Sequence, residues 1–305
     1  MYEYVLVIPT YNAGEQWKCC LEAVKNQSVL PKNILIVDSS SDDNTIGLAK
    51  KYDSIVLQIN KKDFGHGLTR QYALSQVKDV DVVVYCTQDA LLSDANCISR
   101  ILDVFVDASV GAVYGRQMPR KTANLLEIHE RQFSYTSQSH IYSYDARKNF
   151  GMKTCFLSNA FTAYRLEALQ QVGGFPSNTI VSEDMYVGAK MLMAGWKLGY
   201  CADASVIHSH SYHLRELFGR YFDIGVFNAR ERWIREEFGS AENEGLRYLK
   251  SEIRFLWDKN PLLVPYALIR TAVKYAGFKL GLIERYLPRA LKKWVSRQKQ
   301  FWDKD

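Results

Sequence analysis

The sequence predicts an α/β protein, a mostly parallel sheet flanked by helices with a helical, basic C-terminal region. Three observations predict it. Short apolar runs recur from Tyr4 to Arg116, and most are followed by a segment of helical periodicity. Strands alternating with helices of that length imply βαβ units. Two of the runs, Ile34-Leu35-Ile36-Val37-Asp38 and Val83-Val84-Tyr85-Cys86-Thr87-Gln88-Asp89-Ala90, carry an acid at or just past their ends. Open α/β sheets bind ligands in the crevice beyond the carboxyl ends of their strands, so acids delivered there suggest a site for a cation, a nucleotide or both. From about Leu214 onward the strand signal stops and only helical pattern remains.

Tyr4 to Pro9 is the first expected strand, with Thr10-Tyr11-Asn12-Ala13-Gly14 as its turn. A helix over about Glu15 to Asn26 follows, because Trp17, Leu21 and Val24 share one face. Asn33 to Asp38 is the second strand, and the polar turn Ser39 to Asn44 caps a helix over about Thr45 to Tyr52. Ser54 to Ile59 is the third strand, Asp63-Phe64-Gly65-His66-Gly67 a glycine-flanked loop, and Leu68 to Val77 a helix. Asp81 to Thr87, a helix over Asp94 to Asp107, and strand Gly111 to Arg116 come next. The pattern loosens over the polar, tyrosine-rich stretch Gln117 to Cys155, the kind of long irregular segment that is usually functional or mobile. It resumes with strand Phe156 to Tyr164, helix Leu166 to Val172 and the turn Gly173-Gly174-Phe175-Pro176. Ser182 is placed to cap a helix over Glu183 to Ala194, before short strands Lys197 to Cys201 and Ser205 to His208.

The chain has 305 residues, with 47% apolar and 24% charged residues, enough for a large core. No cleavable signal is expected, since Val5 to Pro9 is too short for an apolar signal core. The six cysteines show no framework spacing and no C-x-x-C, so they read as reduced cytosolic thiols. The net charge of +6 is uneven: residues 261–305 hold ten Lys/Arg against three acids, a balance of +7. Trp294, Phe301 and Trp302 sit among those charges, a mixture suited to an anionic membrane surface. A plain solvated basic helix or a subunit contact explains it as well, and no nucleic-acid motif accompanies it. The best spanning candidate, Pro261 to Ile283, is broken by Arg270, Lys274 and Lys279, so no membrane-spanning helix is expected.

The first strand-turn-helix holds a single glycine where a dinucleotide fold would place G-x-G-x-x-G, which argues against a Rossmann oxidoreductase. Pro9-Thr10-Tyr11-Asn12 and Val37-Asp38-Ser39-Ser40-Ser41-Asp42-Asp43-Asn44-Thr45 instead resemble the opening of the family-2 inverting glycosyltransferases of GT-A fold. The resemblance continues through Val172-Gly173-Gly174-Phe175, Ser182-Glu183-Asp184, Ala194-Gly195-Trp196 and Val206-Ile207-His208, in the family's order over roughly residues 3–215. Asp63-Phe64-Gly65-His66-Gly67, Thr69-Arg70, Thr87-Gln88-Asp89-Ala90 and Tyr114-Gly115-Arg116-Gln117 resemble more narrowly the bacterial rhamnosyltransferases of O-antigen and related polysaccharides.

That resemblance implies transfer of a sugar, L-rhamnose from dTDP-L-rhamnose, to a hydroxyl of a glycan or lipid-linked acceptor at the inner face of the cell membrane. Such an enzyme needs a base pocket, a divalent cation for the diphosphate, and a general base for the acceptor hydroxyl. For the donor, the expected residues are Pro9, Tyr11, Asp38, His66, Arg70, Gln88 and Arg116. Asp38 is expected to accept a pyrimidine ring N–H, and Arg70 to reach base or phosphates with its fork of donors. Asp89 is the expected ligand of Mg²⁺ or Mn²⁺. Thr87 replaces the first acid of the family's D-x-D, and His208 is a second ligand by resemblance, with His210 a rival. Consecutive helix residues point about 100° apart, so only one of Glu183 and Asp184 can face the acceptor. By resemblance Asp184 is the base and Glu183 structural or acceptor-binding. Residues 1–213 are expected to form the catalytic domain and residues 214–305 a helical appendage. A nucleotidyltransferase making nucleotide sugars and a non-catalytic nucleotide-sugar-binding protein are the alternatives.

Overall fold

The structure, a computed structural model, describes residues 2–239 and 242–304, with the backbone alone at 242 and 243. Asp305, the last acid of the basic stretch, lies outside the described residues. Strand β1 (Tyr4–Thr10) leads into helix α1 (Trp17–Lys25), β2 (Asn33–Asp38) into α2 (Thr45–Lys51), and β3 (Ile55–Gln58) into α3 (His66–Ser75). Then come β4 (Val82–Cys86), the two-residue β5 (Leu91–Leu92), α4 (Cys97–Asp103) and β6 (Val110–Met118). Helix α5 (Leu125–Ser134), strand β7 (His140–Tyr142) and the short α6 (Arg147–Phe150) occupy the stretch whose pattern loosens. Strand β8 (Phe161–Arg165), α7 (Leu166–Gln171), α8 (Glu183–Met193) and β9 (Lys197–Ile207) complete the sheet. The rest is helical: α9 (Leu214–Arg230), α10 (Arg232–Phe238), α11 (Glu242–Lys259), α12 (Val264–Leu282), α13 (Arg289–Val295) and α14 (Phe301–Lys304).

The strands form one sheet in the order β3-β2-β1-β4-β8-β6-β9-β5, with β7 joined to β9. The first half, β3-β2-β1-β4, is parallel throughout, as successive βαβ units require. Beyond it the sheet is mixed rather than mostly parallel. Strand β8 runs antiparallel to both β4 and β6, while β6 and β9 are parallel. The reason lies in the chain path: β8 returns after the excursion over 119–160 instead of after a single crossover helix.

Alternation explains the core. Val5, Val7, Leu35, Val37, Val83 and Tyr85 face one side, and Tyr4, Leu6, Ile8, Ile34, Ile36 and Val84 the other. Both faces are covered, so these strands read as continuous apolar runs. Trp17 and Leu21 of α1 and Ile98 and Ile101 of α4 close the second side. The first side is closed in part by the C-terminal helices, because Phe222, Val226 and Phe227 of α9, Phe238 of α10 and Trp302 of α14 belong to that cluster.

Local differences from the sequence pattern have physical causes. Residues 156–160 form no strand, and β8 begins only at Phe161. The two expected short strands near Lys197 are one strand, broken only by a register shift where Gly115 pairs Cys201 and Arg116 pairs Ser205. Ser182 makes no side-chain cap and sits at φ 61. Of the three aromatics in the basic stretch, Trp302 is fully buried with its ring 6.2 Å from that of Phe222 and is not available to a membrane surface, Phe301 is half-buried, and Trp294 is exposed.

Candidate active site

Strand ends assemble the first half of the site. Leu91 of β5 pairs with Ile207 of β9, which sets the turn holding Asp89 beside the residues that follow β9. Met118 of β6 also pairs with Ile207, and the His208 N–H donates to the Met118 carbonyl. Asp89 therefore meets two imidazoles: its Oδ1 is 3.4 Å from His208 Nε2 and its Oδ2 is 3.3 Å from His210 Nε2. The ligand atoms of Asp89, His208 and His210 all lie within 4.8 Å of one another. Gln117 Oε1 is 2.9 Å from His208 Nδ1 and also accepts from Arg131 Nη1 at 2.8 Å. With a metal bound, the carbonyl oxygen at Nδ1 would keep the proton there and leave Nε2 free to ligate; without one, His208 Nε2 lies 2.9 Å from His210 Nε2. Burial, and then the neighbouring His208, push His210 down to about 4, so its imidazole is neutral at physiological pH. Burial works against the charged form of Asp89, but both imidazoles hold it well below the usual carboxylate range. One carboxylate and two imidazoles converging in this way fit a divalent cation.

The second half is the start of α8. Asn159, in the turn just before β8, holds both acids: its backbone N–H donates to Asp184 Oδ2 (3.1 Å) and its Nδ2 to Glu183 Oε1 (3.0 Å). The Tyr164 hydroxyl donates to Asn159 Oδ1 at 2.7 Å, which fixes the amide's orientation. Glu183 is buried and pairs with Arg70 Nη1 at 3.1 Å. Its burial is outweighed by Arg70, His66 and the Asn159 amide, which together keep it below its ordinary value. Asp184 goes the other way: burial, and then the charge of Glu183, raise it to about 7. Two neighbouring carboxylates are thus separated into a fixed anion and a group that takes and gives a proton near neutrality.

Glycines allow this junction. A Cβ on Gly67 would lie 1.9 Å from the Pro176 carbonyl oxygen, so only glycine lets the start of α3 close on the turn before α8. Gly174, at φ +72, lies against Gln71, whose Oε1 accepts the Phe175 N–H at 2.7 Å.

The remaining expected residues fall into two groups. Gln88 and Tyr11 clamp each other through the Tyr11 N–H (2.7 Å) and the Tyr11 carbonyl (3.0 Å), which ties the turn after β1 to the turn carrying Asp89. Lys61 stacks over the Tyr11 ring at 4.3 Å and donates to its hydroxyl. Pro9, His66 and Arg116 are each half-buried, on or next to elements bordering the crevice. Asp38 and Arg70 are placed differently from their expected direct contacts. Asp38 is fully buried; its Oδ2 accepts from Thr10 and Ser41 and its Oδ1 from the Ser41 N–H, so it builds the turn after β2 instead of presenting an edge to a base. Arg70 is buried, and its Nη1 is taken by Glu183 and by the His66 carbonyl at 3.0 Å. It serves the acid pair, because a buried guanidinium is stable only against a carboxylate.

Asn159 and the tautomer-setting Gln117 carry no role in the sequence reading. Gln117 closes the Tyr-Gly-Arg-Gln segment, which was the available signal. Asn159 had none, since it sits in a run that reads as strand.

A family model described as glycosyl transferase family 2 matches residues 5–173. The chain belongs to that family. It is 44% identical to the O-antigen chain rhamnosyltransferase RfbN of Salmonella typhimurium over 299 residues, 98% of this chain and 95% of that one. It is also 44% identical to the O-antigen chain rhamnosyltransferase WbaN of Salmonella anatum, over 99% of this chain and 96% of that one. Among solved structures, the mannosyltransferase PcManGT from Pyrobaculum calidifontis, in complex with GDP-Man and Mn²⁺, superposes with a TM-score of 0.57 at 18% identity, covering 100% of this chain and 88% of that one. Residues 1–349 of S. aureus TarS give 0.55 at 15% identity, over 93% and 91%. These likenesses confirm the GT-A-like fold. The protein is an inverting glycosyltransferase of polysaccharide synthesis, and the nucleotidyltransferase and non-catalytic alternatives fall away.

Proposed function

We propose that this glycosyltransferase moves L-rhamnose from dTDP-L-rhamnose to a hydroxyl of a lipid-linked O-antigen-type glycan. The observation that supports the donor and product class is 44% identity, along almost the whole chain, to two O-antigen chain rhamnosyltransferases. Residues 1–213 form the catalytic unit in this reading, and residues 214–305 the helical region that supports it. Without a described helix long and apolar enough to cross a membrane, the enzyme would meet its lipid-linked acceptor peripherally, at the inner face.

Asp184 is the base. Raised to about 7, its carboxylate takes the acceptor proton as the hydroxyl oxygen attacks the anomeric carbon from the face opposite the nucleotide diphosphate. Glu183, held by Arg70 and Asn159, keeps a fixed negative charge beside it and so maintains its basicity. Tyr11, with Lys61 across its ring, offers a flat face for the pyrimidine, while the Asp38 cluster fixes the turn beneath it. His66 and Arg116 line the donor side. Asp89, His208 and His210 would hold the divalent cation, with imidazole favouring Mn²⁺ over Mg²⁺. When bound, such an ion neutralises charge gathering on the departing diphosphate.

Calorimetry with dTDP tests the donor half. Binding should strengthen with Mn²⁺, and Asp89→Ala should remove both the metal effect and most of the affinity. Equal affinity in EDTA, or tighter binding of GDP than of dTDP, would overturn the reading.

A further inference from the structure

Helix α12 is amphipathic in an unusual sense. Its inward face is made of small residues: Gly277 and Gly281 lie against the backbone of α9, where added Cβ atoms would stand 2.5 Å from the Phe218 oxygen and 2.2 Å from the Phe222 oxygen. Its outward face is mainly apolar. Leu268, Ile269, Ala272 and Tyr275, with Ile283 just past the helix end, are spaced along it and exposed, Ile269 by 52% and Tyr275 by 62%, and Lys279 stands among them with its Nζ 5.3 Å from the Tyr275 ring. Just before the helix, Leu262 is 87% exposed, and Trp257 near the end of α11 is 67% exposed. A helix of a soluble domain normally turns its large apolar side chains inward, so a band of this kind marks a contact surface.

Charge identifies the partner. Helix α12 has no acid, and of its three cations Lys279 is exposed while Arg270 is buried against Tyr212 and Lys274 lies over the Tyr221 and Tyr248 rings. Arg254, Lys259, Lys279, Arg285 and Arg289 are exposed on α11, on α12, in the turn after it and at the start of α13, against the one exposed acid Asp258 among the described residues 254–289. A second copy of the chain would oppose the same positive surface to itself. An anionic lipid surface satisfies both features, because apolar side chains enter the acyl boundary while lysines and arginines meet the headgroups.

We propose that α12 is an interfacial helix that lies in the headgroup layer of an anionic membrane, with Leu262, Ile269 and Tyr275 inserted. The proposal also fixes where the site stands. Arg270 Nη1 donates to the Tyr212 carbonyl at 3.0 Å, Gly277 meets Phe218 and Gly281 meets Phe222, so α12 and α9 run in the same direction. The end of α12 nearest Leu262 is therefore the end beside Tyr212, whose ring lies 5.7 Å from that of His210. Docking would hold the cation cluster next to the lipid surface. This differs from a general attraction by the basic tail: Trp302 is in the core, and Asp303 is paired with Lys293. The inference rests on the glycosyltransferase reading only for its purpose, since vesicle binding requires neither donor nor acceptor.

The experiment is co-sedimentation of the full chain with vesicles of phosphatidylcholine alone or mixed with phosphatidylglycerol, at low and high salt. The wild type should bind the mixed vesicles at low salt and release as the Debye length shortens. The double substitution Ile269→Glu and Tyr275→Glu should weaken that binding ~tenfold or more, with donor turnover and thermal midpoint unchanged. Ala272→Glu repeats the test without removing an aromatic ring. Unaltered vesicle binding by these variants would overturn the proposal, as would failure of the wild type to bind either vesicle. A dimer in light scattering that the double variant splits, without vesicle binding, would assign the face to a second copy instead. Loss of the rhamnosyl reading in transfer assays would leave the vesicle result standing, so the two failures are distinguishable.

Discussion

Asp184 and Glu183 are neighbours in sequence with opposite electrostatic surroundings. Glu183 faces the Arg70 guanidinium, and Asp184 accepts backbone N–H groups from Asn159 and Met185. Asp184→Asn keeps the shape and removes the proposed base, so kcat should fall ~10²- to 10⁴-fold with donor affinity within a few fold, in a steady-state transfer assay. In the wild type the rate should rise with pH and level off above about 7, as Asp184 loses its proton. The stability consequence has a definite sign. The folded carboxyl holds its proton more tightly than the unfolded one, whose ordinary value is 3.8. Its favourable contribution is complete below that value and is lost as pH rises through about 7. Thermal melts should therefore show Asp184→Asn gaining on the wild type between pH 5 and pH 9. Glu183→Gln strips the charge from a buried pair and leaves Arg70 uncompensated, at a cost of ~3–5 kcal/mol in denaturant titrations. Full turnover by Asp184→Asn with an inactive, still folded Glu183→Gln would move the base to Glu183. The acid pair was legible because carboxylates after a Gly-Gly-Phe turn are a recognisable pattern. Arg70 and Asp38 were legible as polar residues at the crevice, but not their partners. A sequence does not show that a guanidinium is buried against Glu183, or that a carboxylate is fully occupied by Thr10 and Ser41.

At the scale of elements, apolar runs located the parallel strands and their helices to within a few residues. Where the pattern weakened, the reading weakened with it. Helix α5 lies in a polar, tyrosine-rich stretch, and its start is capped by the Asn124 side chain accepting the Glu127 N–H at 3.0 Å. Residues 156–160 border an apolar run and read as its continuation, but they form a loop and turn outside the sheet that deliver Asn159 to the acids. The α9–α12 contact is also readable only in three dimensions, because it depends on backbone approaching backbone. Gly281→Val places a branched side chain where a Cβ already stands 2.2 Å from the Phe222 oxygen and 2.8 Å from the Gly225 Cα. It should cost ~1–3 kcal/mol or more in chemical unfolding. Gly245→Ala on α11 is the control. No atom lies within 4 Å of the added Cβ, so the exposed helix should gain ~0.5–1 kcal/mol. Equal effects at the two positions would mean that α12 does not pack on α9 as described.

The whole molecule joins a sheet-bearing part to a helical C-terminal part through one core cluster. The sheet supplies Asp89 and the turns around Tyr11, the loop before β8 supplies Asn159, and α9 begins directly after the cation cluster. Strand-end acids and family motifs made the fold and the reaction class legible. The mixed half of the sheet was hidden, because the direction of β8 depends on a long excursion that carries no periodic signal. The central claim is inverting transfer of rhamnose from a thymidine diphosphate donor, and the configuration of the product tests it most directly. Purified enzyme should be incubated with dTDP-L-rhamnose, Mn²⁺ and a lipid-linked glycan acceptor, and the new glycosidic linkage examined by NMR. The account predicts a rhamnosyl product whose anomeric configuration is opposite to that of the donor. A product with retained configuration, or transfer from a UDP- or GDP-sugar with none from dTDP-L-rhamnose, would contradict it.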